Sequence, residues 1–138
     1  MRFDLVDRVL DSSDTHIVTL KQISGAEEYL QDHFPGYPVL PGVMMLEAMV
    51  QAGRRLCGPK AAPDQRLVLG KVRALKYGRF VRPGFSLRVE VTLAGAADGE
   101  FDLKGEGRLL DPAAGPGELP VAVSGRFVLR PAKIMVPG

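Results

Sequence analysis

The chain has 138 residues, 46% of them hydrophobic and 25% charged, and a net charge of +2. This is enough to bury a core without staples, and the composition is that of one soluble globular domain spanning 1–138. Its lone cysteine, Cys57, excludes an intrachain disulfide framework and any multi-cysteine metal site.

The N-terminus lacks the uninterrupted apolar core of a signal peptide. No segment approaches the roughly 18 apolar residues of a membrane span, so no membrane association is expected and the expected location is the cytoplasm. Residues 5–10 form a short patterned run that turn chemistry at 11–14 should end. His16 to Ile23 has the β-branched content of a strand, closed by Ser24 and Gly25. Ser24 and Glu27 stand at the capping-box spacing, which predicts a short helical turn over 26–31. The chain then enters a loop, 32–42, that carries three prolines, two glycines and His33.

A central helix should begin at Pro41 or Gly42, since proline suits a first turn, and stop before Gly58 and Pro59. Val43, Leu46, Val50, Gly53 and Cys57 would form one face, and Met45, Met49, Ala52 and Leu56 a second. A helix apolar on most sides is a buried one. Its few polar groups, Glu47, Gln51 and Arg54 or Arg55, fall three or four residues apart in one stripe. After a loop at 60–65 come four predicted strands, at 67–77, 86–93, 100–110 and 120–129, separated by turn residues. The alternation of Leu87, Val89, Val91 and Leu93 against Arg88, Glu90 and Thr92 implies a sheet with one wet face. The layout is α+β: an antiparallel sheet wrapped around one long helix. Part of the helix surface is expected to be covered by a second copy in a homodimer.

Ten basic residues and one acid, Asp64, lie between Arg54 and Arg88. Such a stretch either steers an anionic partner or is a set of solvated strand faces. His33 likewise has two readings: a loop histidine bonded for structure, or a proton-exchanging group near neutral pH. His16 has no comparable setting and is read as structural. Glu47 in an apolar helix must be paired, hydrogen-bonded or protonated. It is either a structural partner of Gln51 or Arg54 or a group that simply points to solvent, or an acid tuned by desolvation. The first N–H groups of the helix, near Gly42 and Val43, offer an oxyanion site. A base, an acid and an oxyanion site suit proton abstraction beside a carbonyl with departure of a neighbouring group. Two histidines in unrelated contexts and no cysteine pair suggest no metal. No phosphate-binding loop and no recognised nucleic-acid motif is present.

The run His33-Phe34-Pro35-Gly36-Tyr37-Pro38-Val39-Leu40-Pro41-Gly42-Val43, followed by Leu46-Glu47-Ala48-Met49-Val50-Gln51, resembles the active-site segment of the FabZ-type β-hydroxyacyl-[acyl carrier protein] dehydratases. The opening at 5–10 and the turn Arg82-Pro83-Gly84 are similar to that family as well. The resemblance implies a hotdog fold and a double-hotdog homodimer, for which trimers of dimers are common in the family. It implies that His33 of one subunit faces Glu47 of the other and takes the α-proton of a (3R)-3-hydroxyacyl thioester. Glu47 would help expel the β-hydroxyl as water, leaving the trans-2-enoyl thioester. Gly42 would polarise the thioester carbonyl and Gln51 would orient Glu47. Glutamate rather than aspartate at 47 favours the FabZ over the FabA type. No dissociable cofactor is implied; the acyl group would arrive on the phosphopantetheine of an acyl carrier protein, in fatty-acid or a related polyketide-like or secondary lipid pathway.

The chain departs from that family at Lys71-Val72-Arg73, Lys76-Tyr77 and Phe85, positions the resemblance places near the substrate tunnel and the carrier-binding surface. Two competing readings are a hotdog acyl thioesterase and a non-catalytic acyl-carrier-binding hotdog subunit.

Overall fold

The structure is a computed structural model that describes residues 3–30 and 33–133. Gln31, at the end of the predicted helical turn, and Asp32, at the start of the proline-rich loop, lie outside the described residues.

Six antiparallel strands form one sheet: β1 (Arg8–Ser12), β2 (His16–Gln22), β3 (Leu67–Tyr77), β4 (Ser86–Ala97), β5 (Glu100–Leu110) and β6 (Val121–Pro131). Their order across the sheet is β1-β2-β4-β5-β6-β3, so among the described residues β3 is an edge strand paired with β6 alone. The helix α1 (Gly42–Cys57) lies against the inner face, as the layout predicts.

The alternation in β4 does what a period of two requires. Leu87, Val89 and Val91 are fully buried under the helix, while Arg88 and Glu90 share an ion pair on the outer face. The β4–β5 hairpin turns at Asp98 and Gly99, both at positive φ, as a two-residue turn of this twist demands. On β5 the inward positions after Phe101 and Leu103 are Gly105 and Gly107. A Cβ at Gly105 would stand 2.8 Å from the Met49 sulfur and 3.1 Å from the Phe127 ring, so the missing side chain is a notch that receives Met49. Fully burying side chains of the size of Met49, Val50 and Leu56 contributes about 1.5–3 kcal/mol each, and this face of α1 seats the helix.

Several boundaries differ from the sequence expectation. The first strand begins at Arg8 and runs through Asp11 and Ser12, with a bulge between Val9 and Asp11. Leu5 and Val6 instead lie buried ahead of it as part of a strap across the helix. The turn falls at Ser13, whose N–H donates to the His16 carbonyl at 2.7 Å. The capping box at Ser24 is not made: Glu27 pairs with the nearly buried Lys21 at 3.1 Å, and the turn is a single 3-10 turn, Glu28–Leu30. Gly58 ends α1 in a right-handed conformation and leads into another 3-10 turn, Gly58–Lys60, rather than stopping the helix through a left-handed glycine. β4 extends to Ala97, since its hairpin with β5 pairs down to the turn. β6 shifts to Val121–Pro131 by continuing its pairing with β3 as far as Leu67.

The largest correction concerns the helix surface. Val43 was expected on a buried face and is 65% exposed, and Glu47, Arg54 and Arg55 also face outward. Within one chain the sheet covers one broad face of α1 and leaves the other open.

Candidate active site

His33 sits on a loop held almost wholly by its own backbone. Phe34 and Tyr37 exchange N–H to carbonyl bonds of 3.0 Å, Val39 N–H donates to the His33 carbonyl at 2.8 Å, and Leu40 N–H donates to Val81 at 2.7 Å. The Arg82 guanidinium lies 4.0 Å over the Tyr37 ring, and the His33 and Phe34 rings stack at 4.3 Å. The His33–Phe34 peptide bond is cis. His33 Nδ1 lies 3.1 Å from the Val39 carbonyl oxygen. A carbonyl only accepts, so Nδ1 carries the proton and Nε2 of the neutral ring keeps its lone pair. That is the tautomer a general base needs.

The helix begins at Gly42 behind Pro41, which contributes no side-chain cap, and its first turn holds no acid. The Gly42 and Val43 N–H groups therefore sit at the positive end of the helix dipole without an intrahelical acceptor. The Tyr77 ring occupies the space of a Gly42 side chain: a Cβ there would be 2.8 Å from its Cε1 and Cζ.

Glu47 is on the outward face, one turn and a half along. Its Oε1 accepts a hydrogen bond from Gln51 Nε2 at 3.2 Å and lies 3.7 Å from the Arg54 guanidinium. Its side chain is 37% exposed. The low-dielectric setting expected for Glu47 is thus not made by a single chain, and the predicted polar stripe is. Gln51 is also bound by the strap: its Oε1 accepts from Leu5 N–H at 2.8 Å and its Nε2 donates to the Phe3 carbonyl at 2.8 Å. Beside Glu47 opens a groove of about 600 Å³, lined by Met44, Gln51, Arg54, Arg55 and Arg66.

Among the described residues no hydrogen bond or ion pair joins His33 to Glu47. The basic stretch divides. Arg54, Arg55 and Arg66 converge on the Glu47 groove, Arg82 covers Tyr37, Arg73 pairs with Asp102 at 3.3 Å, and Arg88 pairs with Glu90 at 3.4 Å. His16 binds Glu90 at 2.9 Å on the outer face, a structural role as read from its setting. Cys57 is fully buried, and burial pushes its thiol up to about 11. No group of three His, Cys, Asp or Glu among the described residues is placed to hold a metal ion, and no helix is long and apolar enough to cross a membrane.

The sequence reading missed the strap at Phe3 and Leu5, and the place of Arg66 in the groove. Nothing in a local pattern marks a backbone carbonyl that will meet a side chain 48 residues away.

A family profile described as ApeI-like, ApeI dehydratase, matches residues 9–110. The 3-hydroxyacyl-[acyl-carrier-protein] dehydratase FabZ of Koribacter versatilis is 34% identical over 133 residues, covering 94% of this chain and 82% of that protein. The FabZ of Polaromonas is 38% identical over 120 residues, covering 83% of each. The FabZ of Pelotomaculum thermopropionicum is 47% identical over 96 residues, 66% of this chain and 66% of that protein's length. Among solved structures, the dehydratase heterocomplex ApeI:P from Xenorhabdus doucetiae superposes with a TM-score of 0.66 at 15% identity, over 94% of this chain and 99% of that one. A hypothetical thioesterase with coenzyme A from Streptococcus pneumoniae gives 0.66 at 9% identity, over 91% and 84%. Those two likenesses establish the shared architecture, which hosts more than one chemistry. Taken with the sequence relatives, they place this chain in the hotdog-fold family of FabZ-type 3-hydroxyacyl-[acyl-carrier-protein] dehydratases.

Proposed function

We propose that the protein removes water from (3R)-3-hydroxyacyl thioesters, carried on the phosphopantetheine of an acyl carrier protein, to give trans-2-enoyl thioesters. The observation that carries this reading is the His33 tautomer: Nδ1 is engaged by Val39, so Nε2 is left as the base. Nε2 takes the α-proton, and the C–H electron pair becomes the second bond between Cα and Cβ. The Cβ–O bond breaks, and the departing hydroxyl takes a proton from the Glu47 carboxyl group and leaves as water. Proton exchange with solvent returns both groups to their starting state. The Gly42 N–H stabilises the negative charge that builds on the thioester oxygen.

Among the described residues no hydrogen bond or ion pair joins His33 to Glu47, and in this reading a second copy completes the pair. Two features support a homodimer. The outer edge of β3 has no strand beside it among the described residues, and Phe34, Val43, Tyr77 and Phe80 are exposed apolar side chains. The groove's arginines suit an acidic carrier protein.

The test is mass spectrometry of a 3-hydroxyacyl carrier protein incubated with wild type, His33→Ala and Glu47→Gln. Loss of 18 Da (about one water, by the chemistry of dehydration) is expected with wild type alone. Water loss unchanged in both variants would overturn the mechanism, and release of free thiol without an enoyl product would identify a thioesterase instead.

A further inference from the structure

Gln51 makes more bonds than a partner of Glu47 needs, and its other partners fix its orientation. The Leu5 N–H only donates and the Phe3 carbonyl only accepts, so the amide has a single allowed orientation, with Oε1 toward Leu5 and Nε2 toward Phe3. Of the two Nε2 protons one is taken by Phe3, at 2.8 Å, and the other is directed at Glu47 Oε1, at 3.2 Å. The strap that imposes this is itself anchored. Leu5 and Val6 are buried, the Asp4 carboxylate accepts from the Val6 N–H at 3.1 Å, and the Phe3 and Tyr29 rings form a T-shaped pair with centroids 5.4 Å apart. Tyr29 is in turn packed against the core beside the Lys21–Glu27 pair, and burial together with the Glu27 charge holds its phenol above its ordinary range. With Oε1 of Glu47 held by Gln51 and Arg54, Oε2 is the oxygen left to face a substrate.

We propose that the strap at Phe3–Leu5 is a positioning element for Glu47, acting through Gln51. This rests on the dehydratase reading of Glu47 and extends it to a segment far from the histidine loop. Its action is to keep one carboxylate oxygen at a fixed place, so its loss lowers turnover more than substrate binding.

The test is a double-mutant cycle on the full-length protein: wild type, Phe3→Ala, Gln51→Leu and the double variant, each with kcat and KM on a 3-hydroxyacyl carrier protein. Phe3→Ala keeps the carbonyl and removes the ring that holds the strap on Tyr29. It should lower kcat about three- to tenfold with KM unchanged, Gln51→Leu about ten- to hundredfold, and the double variant no further than Gln51→Leu alone. Losses that multiply, or a Phe3→Ala enzyme with full kcat, would overturn the proposal. Gln51→Glu keeps the acceptor for Leu5 N–H but sets a carboxylate oxygen against the Phe3 carbonyl and Glu47, so kcat should fall at least as far as in Gln51→Leu. A Gln51→Glu enzyme with wild-type kcat would overturn it. If wild type forms no enoyl product, the reading of the reaction fails. The strap is then judged by NMR alone: the two Glu47 γ-proton resonances should merge in Phe3→Ala and Gln51→Leu, and resonances that stay distinct in both would sink it.

Discussion

His33 and Glu47 are held by opposite means. The histidine is fixed by main chain: the Val39 carbonyl holds its ring, and reciprocal Phe34–Tyr37 bonds and the Leu40–Val81 bond hold its loop. The glutamate is fixed by side chains, Gln51 and Arg54, on an outward helix face. A side chain held by backbone is indifferent to most neighbouring substitutions, because every residue but proline offers the same N–H and C=O. A carboxylate held by side chains depends on each of them.

Removing the groups themselves gives the largest expected effect. His33→Ala and Glu47→Gln should each lower dehydration by about 10²–10⁴-fold, measured as enoyl formation. Mixing the two inactive variants under subunit exchange should restore activity, because one mixed site would again contain both groups. Mixed dimers with no recovered activity would show that the two residues do not meet across an interface.

Gly105→Ala probes the support beneath the glutamate. The new methyl group would compete with the Met49 sulfur and the Phe127 ring in a closed core, so a stability loss of about 1–3 kcal/mol is expected in denaturant unfolding. Trimming the neighbour as well, in Gly105→Ala/Met49→Ala, should add less than the sum of the two single losses.

Arg54→Ala against Tyr37→Ala sharpens the comparison directly. Arg54 is half exposed and 3.7 Å from Glu47, so its loss should lower kcat only a fewfold, in line with about 0.2–1 kcal/mol for exposed pairs. Tyr37→Ala, which leaves the loop's backbone bonds in place, should leave kcat nearer wild type. The reverse order would contradict the contrast between the two ends.

The smallest effect lies on the outer sheet face. The hydrogen bond from His16, then opposed by partial burial and helped by the charges of His16 and Arg88, holds the Glu90 carboxyl below its ordinary value of 4.5. A depressed carboxylate adds stability above that unfolded-state value and loses it as pH falls through the lower folded-state value. His16→Ala should therefore flatten the acid limb of the stability profile below about pH 4.5, by a few tenths of a kcal/mol since Glu90 is half exposed. An unchanged acid limb would show that the pair contributes nothing.

Much of the candidate site's placement was legible because its signals are local. Pro41–Gly42 marks a helix start, Gly58–Pro59 its end, and Glu47, Gln51 and Arg54 share a face by the helix repeat alone. β3 and β5 match their predicted spans, since each is an apolar-rich run bounded by clear turn or loop residues. What the sequence did not reveal is set by tertiary contact. Leu5 and Val6 look like a strand start and are instead anchors of the strap, because Gln51 takes the Leu5 N–H that a neighbouring strand would otherwise engage. Val43 reads as core by composition, yet the sheet curves around only one side of the helix.

The empty position at Gly105 also determines how the helix is turned about its own axis. Met49 enters that recess as a key enters a keyway, so α1 has one rotational setting relative to the sheet. Each residue advances the helix by about 100°, which puts residue 47 about 200° from residue 49. With the sulfur seated inward, the carboxylate has no direction left but outward. A glycine on β5 thereby aims Glu47, a residue of the candidate site to which the glycine itself contributes no atom.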